Sequence, residues 1–242
     1  MNAKRIILNK EYKTKITTAT LIRLAGLSAM LAGLCFIVMG MFHPVNVPAS
    51  VTTAAWVNVH IFATALGFFG LMGLAGLYAR QAEKSGWLGL AGFVLFALWL
   101  GLIMPFSFVE AFILPRLTTE SPAFVAGILG MFTGMPGQVD LGILPTLWNI
   151  SGPLYIFGPL LFGIATFRAS VLPRWAGSLL AFGALLVPIG AVVPPEYQPK
   201  IMVPVGLAFV WLGYALLSER RAKSPEAVLN QAAIKPEASQ VA

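Results

Sequence analysis

Charge is scarce in this chain. Only 10% of its 242 residues are Asp, Glu, Lys or Arg, against roughly 25% in an average soluble domain, and 58% are hydrophobic. That balance excludes an ordinary water-soluble globule. Histidine is scarcer still: His43 and His60 are the only two. Without an HExxH-type spacing they exclude the usual helix-borne metal motifs, and both lie too near one end of the apolar runs to ligate haems at two membrane surfaces. The single Cys35 excludes an intramolecular disulfide and leaves the redox compartment unread. No glycine run outside an apolar segment is followed by the Lys and Ser or Thr of a phosphate loop, and no Ser or Cys nucleophile stands beside a His. The sequence therefore names no catalytic residue and no cofactor, and it leans away from an enzyme.

Six long apolar runs are present: 21–42, 55–78, 87–114, 147–167, 175–193 and 201–217. Each is near or above the roughly 20 residues with which a helix crosses about 30 Å of hydrocarbon. The expected fold is all-α, one membrane domain over 21–218 made of six transmembrane helices. A basic segment, 1–20, is expected along the cytoplasmic surface on anionic lipid, and 219–242 as a disordered cytoplasmic tail. The run after Arg23 exceeds the apolar core of a cleavable signal peptide, so the first helix is expected to stay attached as an anchor.

Fourteen of the sixteen Lys and Arg residues fall on one side of these runs, with Arg116 and Lys200 alone on the other. Positive charge marks the cytoplasmic side, so both termini are expected in the cytoplasm and the protein in the cell membrane. The charge does not form a stripe with aromatic readers, which argues against nucleic acid as a partner. Trp56 and Trp148 are expected in the outer aromatic belt, Trp87 and Trp175 in the inner one.

Ser121-Pro122 is a good helix start, yet the apolar stretch to Gly134 is too short to span. It is expected as an outer interfacial or re-entrant helix between helices 3 and 4. Gly26, Gly33 and Gly40 recur every seven residues and Gly67, Gly70, Gly73 and Gly76 every three, as packing stripes along helices 1 and 2. Small residues let backbones approach where lipid gives no hydrophobic drive, so these faces are expected to meet other helices, a second copy or a membrane partner protein. Pro105, Pro159, Pro188 and Pro204 are expected to kink their spans. A weak repeat, Leu24-Ala25-Gly26, Leu90-Ala91-Gly92 and Trp175-Ala176-Gly177, suggests three hairpins of one orientation.

Ionisable groups inside spans are costly and mark sites. His43, His60, Glu110 and Asp140 all fall in the outer half and are the candidate site, expected to converge under the 122–134 segment. Two imidazoles with carboxylates also suffice in type and number for a metal. The plainer reading hydrogen-bonds His60 to its surroundings, with Trp56, Asn58 and Thr64 as candidate partners, and pairs Glu110 with Arg116.

Trp56-x-x-x-His60, Gly76-Leu-Tyr-Ala-Arg-Gln-Ala-Glu83, Gly89-Leu-Ala-Gly-Phe93, Glu110-Ala-Phe-x-x-Pro115 and Leu172-Pro-Arg-Trp-Ala-Gly177 together resemble a group of uncharacterised bacterial multi-pass membrane proteins. The resemblance covers roughly residues 20–220. It implies a bacterial cytoplasmic membrane and places His60 and Glu110 in the shared pattern, and it carries no established activity. The leading expectation is a small proton- or solute-linked carrier or an accessory membrane subunit. The rival is an outer-face, metal-dependent hydrolase of a lipophilic substrate built on His43, His60, Glu110 and Asp140.

Overall fold

The computed structural model describes residues 16–135 and 137–218; most of the expected basic segment and all of the expected tail lie outside them. No strand occurs among the described residues. In chain order come α1 (Thr18–Phe42), the short α2 (Pro48–Val51), α3 (Ala54–Phe108), a π-helical turn (Val109–Ile113), α4 (Leu114–Glu120), α5 (Pro122–Thr133), α6 (Leu144–Ala169), α7 (Arg174–Leu185) and α8 (Val203–Ser218). Two 3-10 turns, Val187–Ala191 and Gln198–Met202, connect α7 to α8.

A straight α3 would run about 80 Å at 1.5 Å per residue. It does not, because Gly86 adopts φ 56°, ψ −154°, a conformation that only glycine takes cheaply. Two limbs, 54–85 and 87–108, fold back on each other there. A Cβ placed on Gly67 would lie 3.2 Å from the Cα of Met104, and Tyr78 stacks on Phe93 with ring centroids 4.6 Å apart.

The remaining pairs are antiparallel as well, since contact partners rise in number on one helix as they fall on the next. On α1 against α8, a Cβ on Gly26 would come within 2.7 Å of Leu217 N, and one on Gly33 within 2.7 Å of Val210 N. Gly206 and Gly213 return the approach, their Cβ positions 2.7 Å from Gly33 O and 2.6 Å from Gly26 O. Gly40 continues the seam against Val203 and the carbonyl of Pro199. On the other side of α1, Gly73 and Gly76 face Ala29 and Ala25. Gly92 meets Phe162, Gly158 meets Phe96, and Gly163 and Gly177 face each other between α6 and α7. Gly183 against Val205 joins α7 to α8. The six segments close into a ring, α8 returning to α1. Glycine allows this because these helices come so close that a methyl group would overlap a neighbouring backbone.

Inside the ring Phe36, Phe96 and Phe209 are fully buried. Trp99 stacks on Tyr155 at 4.4 Å and on Phe36 at 5.8 Å, so α1, α3, α6 and α8 share one aromatic core. By length and composition, four stretches can cross a membrane: Thr18–Phe42, Ala54–Glu120, Leu144–Ala169 and Gln198–Ser218. Pro122–Thr133 and Arg174–Gly190 are apolar and shorter.

Local expectations are modified in three places. The 175–193 run is regular only to Leu185 and then tightens into a 3-10 turn containing Pro188, whose missing N–H cannot extend the α-helix. Pro204 lies in the first turn of α8, where an absent N–H costs nothing and no kink follows. Trp56, expected in an aromatic belt, is fully buried, whereas Trp87 and Trp175 are 86% and 71% exposed.

Candidate functional site

The candidate site lies at the end of the bundle where α1 finishes and α3 begins. Thr53 caps α3, its hydroxyl accepting from the Trp56 N–H at 3.2 Å. One turn into that helix, Trp56 and His60 stand at i and i+4, on one face. Here the His60 ring turns back so that Nδ1 is 2.8 Å from the Trp56 carbonyl. A carbonyl oxygen can only accept, so Nδ1 carries the proton and donates. That leaves Nε2 directed at Glu110 Oε1, 3.3 Å away. His60 is 1% and Glu110 7% exposed.

Glu110 reaches this position because its helix changes pitch. Within Val109–Ile113 the chain is π-helical, and the Leu114 N–H reaches back five residues to Val109 O. The next such bond, from residue 115 to Glu110 O, cannot form because residue 115 is proline. The indole N–H of Trp56 donates to that carbonyl instead, at 2.9 Å. π-Helical turns occur disproportionately at functional sites. Here a sequence feature, Pro115 five residues after Glu110, explains both the orphaned carbonyl and the need for Trp56.

His43 follows α1 directly. Its ring centroid is 5.0 Å from that of His60 and 6.0 Å from that of Trp56, and its Nδ1 donates to the Pro44 carbonyl at 2.6 Å. It is half-buried. Burial, and secondarily the adjacent His60, lowers its pKa from 6.5 to about 4, against a smaller opposing effect of the Pro44 carbonyl. His43 is therefore neutral at neutral pH.

Asp140 does not join this group. It is exposed, accepts the Gly142 N–H at 2.8 Å, and borders a separate cavity of about 460 Å³ with Asn149 and several glycines. Three of the four expected residues thus come together and the fourth is occupied by its own turn. Among the described residues no three His, Cys, Asp or Glu side chains are placed to hold a metal ion. The simpler partner assignment for Glu110 changes too, since His60 takes the place expected for Arg116. Of the three partners named for His60, Trp56 accepts from its ring and Thr64 donates to its backbone carbonyl at 2.9 Å.

Helix α5 closes this end. Its Val125, Ile128 and Leu129 pack with Val51, Trp56 and Leu114 in a second hydrophobic cluster, separate from the aromatic core. An apolar cavity of about 200 Å³ lies between the end of α3, α5 and α6, and Glu110 borders it. Sequence reasoning named Trp56 as a partner of His60 but missed its indole bond to the Glu110 carbonyl, the π-helical turn and this cavity. The first two were signalled by the i, i+4 spacing of Trp56 and His60 and by Pro115.

Fold and site together define a ring of apolar helices with a buried imidazole–carboxylate pair at one end. Compared with models of protein families, with curated proteins and with solved structures, the chain matches none. The resemblance to bacterial multi-pass proteins stays an expectation.

Proposed function

We propose that this is a six-crossing protein of the bacterial cytoplasmic membrane, both termini inside, acting as a small proton-linked carrier whose proton site is the His60–Glu110 pair. The six crossings are supported by the break at Gly86, which divides one long apolar helix into two limbs. They are supported also by the reach of α7 with its 3-10 extension. Twelve α-helical residues and five 3-10 residues cover about 28 Å, near the hydrocarbon thickness. The side occupied by the termini follows from the Lys and Arg distribution. Membrane lipids are its expected surroundings.

The single observation that carries the proton reading is the donor count at His60. Since Nδ1–H is committed to the Trp56 carbonyl, a neutral imidazole would present the Nε2 lone pair to a carboxylate oxygen 3.3 Å away. Two acceptors repel, so the pair holds together only with one proton between them, as imidazolium and carboxylate or as imidazole and carboxylic acid. Either form is neutral overall, which is what burial in a low dielectric favours. His43, half-buried and neutral with Nδ1 bonded to the Pro44 carbonyl, keeps Nε2 as an acceptor on a ring 5.0 Å from that of His60.

Infrared difference spectroscopy on a pH jump tests this in reconstituted protein. The expected result is one carboxyl band changing together with imidazole bands, abolished in Glu110→Gln and altered in His60→Ala. Vesicles carrying an internal pH dye should also lose an imposed proton gradient faster with wild-type protein than with Glu110→Gln. A wild-type spectrum unaffected by Glu110→Gln would overturn the reading.

A further inference from the structure

Helix α5 turns a different face to a second cavity. Gly127, Gly130 and Met131 fall at i, i+3 and i+4, on one side of the helix, and they line the space of about 460 Å³ that Asp140 borders. Glycine lets the returning chain lie directly on α5: a Cβ on Gly130 would overlap the carbonyl oxygen of Met135, and one on Gly137 would lie 2.8 Å from the Cα of Gly127. The volume is in the range of small-molecule sites, roughly 300–1,000 Å³, whose walls are mostly apolar with a few polar groups. Here Met131, Val139, Leu141 and Pro145 supply apolar side chains, and Asp140 and Asn149 are the only polar side chains of the wall.

The charge of that wall selects the ligand. Asp140 is exposed, and its Oδ1 accepts the Gly142 N–H. A carboxylate has about four acceptor positions on its two oxygens, so this one bond leaves most of them open. The two basic residues on this side are engaged elsewhere: Arg116 borders a different cavity with Glu120, and Lys200 Nζ lies 4.2 Å over the Tyr197 ring. An anion is repelled by the carboxylate. A hard metal ion takes about six or more oxygens, and among the described residues no three His, Cys, Asp or Glu are placed to hold one. An uncharged body filling the cavity would take water from the carboxylate and return nothing. We propose that this cavity binds a small lipophilic amine, its ammonium donating to Asp140 and its apolar body lying against Met131, Val139 and Leu141. The inference does not depend on the proton reading of His60 and Glu110, whose pair α5 meets through its other face.

Fluorine NMR on the full chain in phosphatidylcholine nanodiscs tests this, with 4-fluorobenzylamine, 4-fluorobenzyl alcohol and 4-fluorobenzoate as probes and empty discs as the reference for partitioning into lipid. The amine is expected to bind about three- to fivefold more tightly than the alcohol, the scale of one ion pair at an exposed carboxylate, and the benzoate more weakly than either. Asp140→Asn should remove the preference and keep the turn, because the amide oxygen can still accept the Gly142 N–H. Filling the cavity by Val139→Trp, and independently by Asn149→Trp, should abolish amine binding; two positions guard against loss of the fold in either. Alcohol binding as tight as that of the amine would mean a cavity that takes any apolar body and would overturn the inference. So would tightest binding by the benzoate, a preference that persists in Asp140→Asn, amine binding that survives both fillings, or no binding by any probe. Loss of amine binding when phosphatidylethanolamine replaces phosphatidylcholine in the discs would give the cavity to a lipid headgroup and overturn it as well; unchanged binding supports a free amine.

Discussion

The α1–α8 seam and the junction between residues 56–60 and 109–114 join helices in opposite ways. Along the seam, Gly26 and Gly33 meet Gly213 and Gly206, backbone against backbone. At the junction the backbone is irregular, and an indole, an imidazole and a carboxyl side chain make the connection. The seam is tight and chemically mute. The junction holds a titratable pair, costly to bury, beside an apolar cavity. A bundle of this kind is kept closed by glycines in one region, which leaves the other free to deviate from regular helix.

The sharpest way to break that contrast is to add side chains to glycines of the two types. Gly33→Leu would drive a side chain into the α8 backbone and should cost more than about 3 kcal/mol, beyond ordinary overpacking. Gly101→Leu, where a Cβ meets nothing within 4 Å, should cost under about 0.5 kcal/mol. Thermal unfolding in detergent compares them, and equal losses would mean that the seam is not what closes the ring.

A smaller effect tests the junction. Trp56→Phe should cost about 1–2 kcal/mol, because it leaves the Glu110 carbonyl buried without a donor. Adding Pro115→Ala restores a backbone N–H five residues on and should recover part of that loss. If the double variant is merely the sum of the singles, the account of the π-helical turn fails.

The smallest effect concerns acid. The unfolded chain binds a proton at His43 near pH 6.5 and the folded chain only near pH 4, so between those values the unfolded state holds more protons. Stability from this group therefore falls as pH drops from 6.5 toward 4, levels below that, and is unaffected above 6.5. With the ring half-buried and screened by water, about 1 kcal/mol is expected over the window. The difference between wild-type and His43→Gln acid-unfolding curves isolates it, and a difference of opposite sign would show that His43 is stabilised by charging.

Much of the architecture could be read from the chain alone. Apolar runs marked the long helices, Ser121-Pro122 marked α5, and glycine spacing marked faces that lie at helix contacts. His43, His60 and Glu110 could be singled out because few polar groups occur in those runs. Asp140 could not be rejected in advance, since nothing local distinguishes a carboxylate that caps its own turn from one directed at a distant histidine. Trp56 read as a belt residue for a similar reason: tryptophan at a helix end looks the same whether lipid or another helix covers it.

What the sequence by itself determined is therefore whatever depends on residues near one another in the chain: helical periods and lengths, the breaker at Gly86, the absent N–H of Pro115, and the sides to which positive charge is sorted. What only the tertiary structure decided is which distant segments meet. His60 and Glu110 are fifty residues apart, and the hairpin at Gly86 sets them 3.3 Å apart. The cavity beside them needs α5 and α6 as well. The physical reason is that helix formation is governed by bonds spanning three to five residues, whereas a site is made by packing, whose partners no local rule selects.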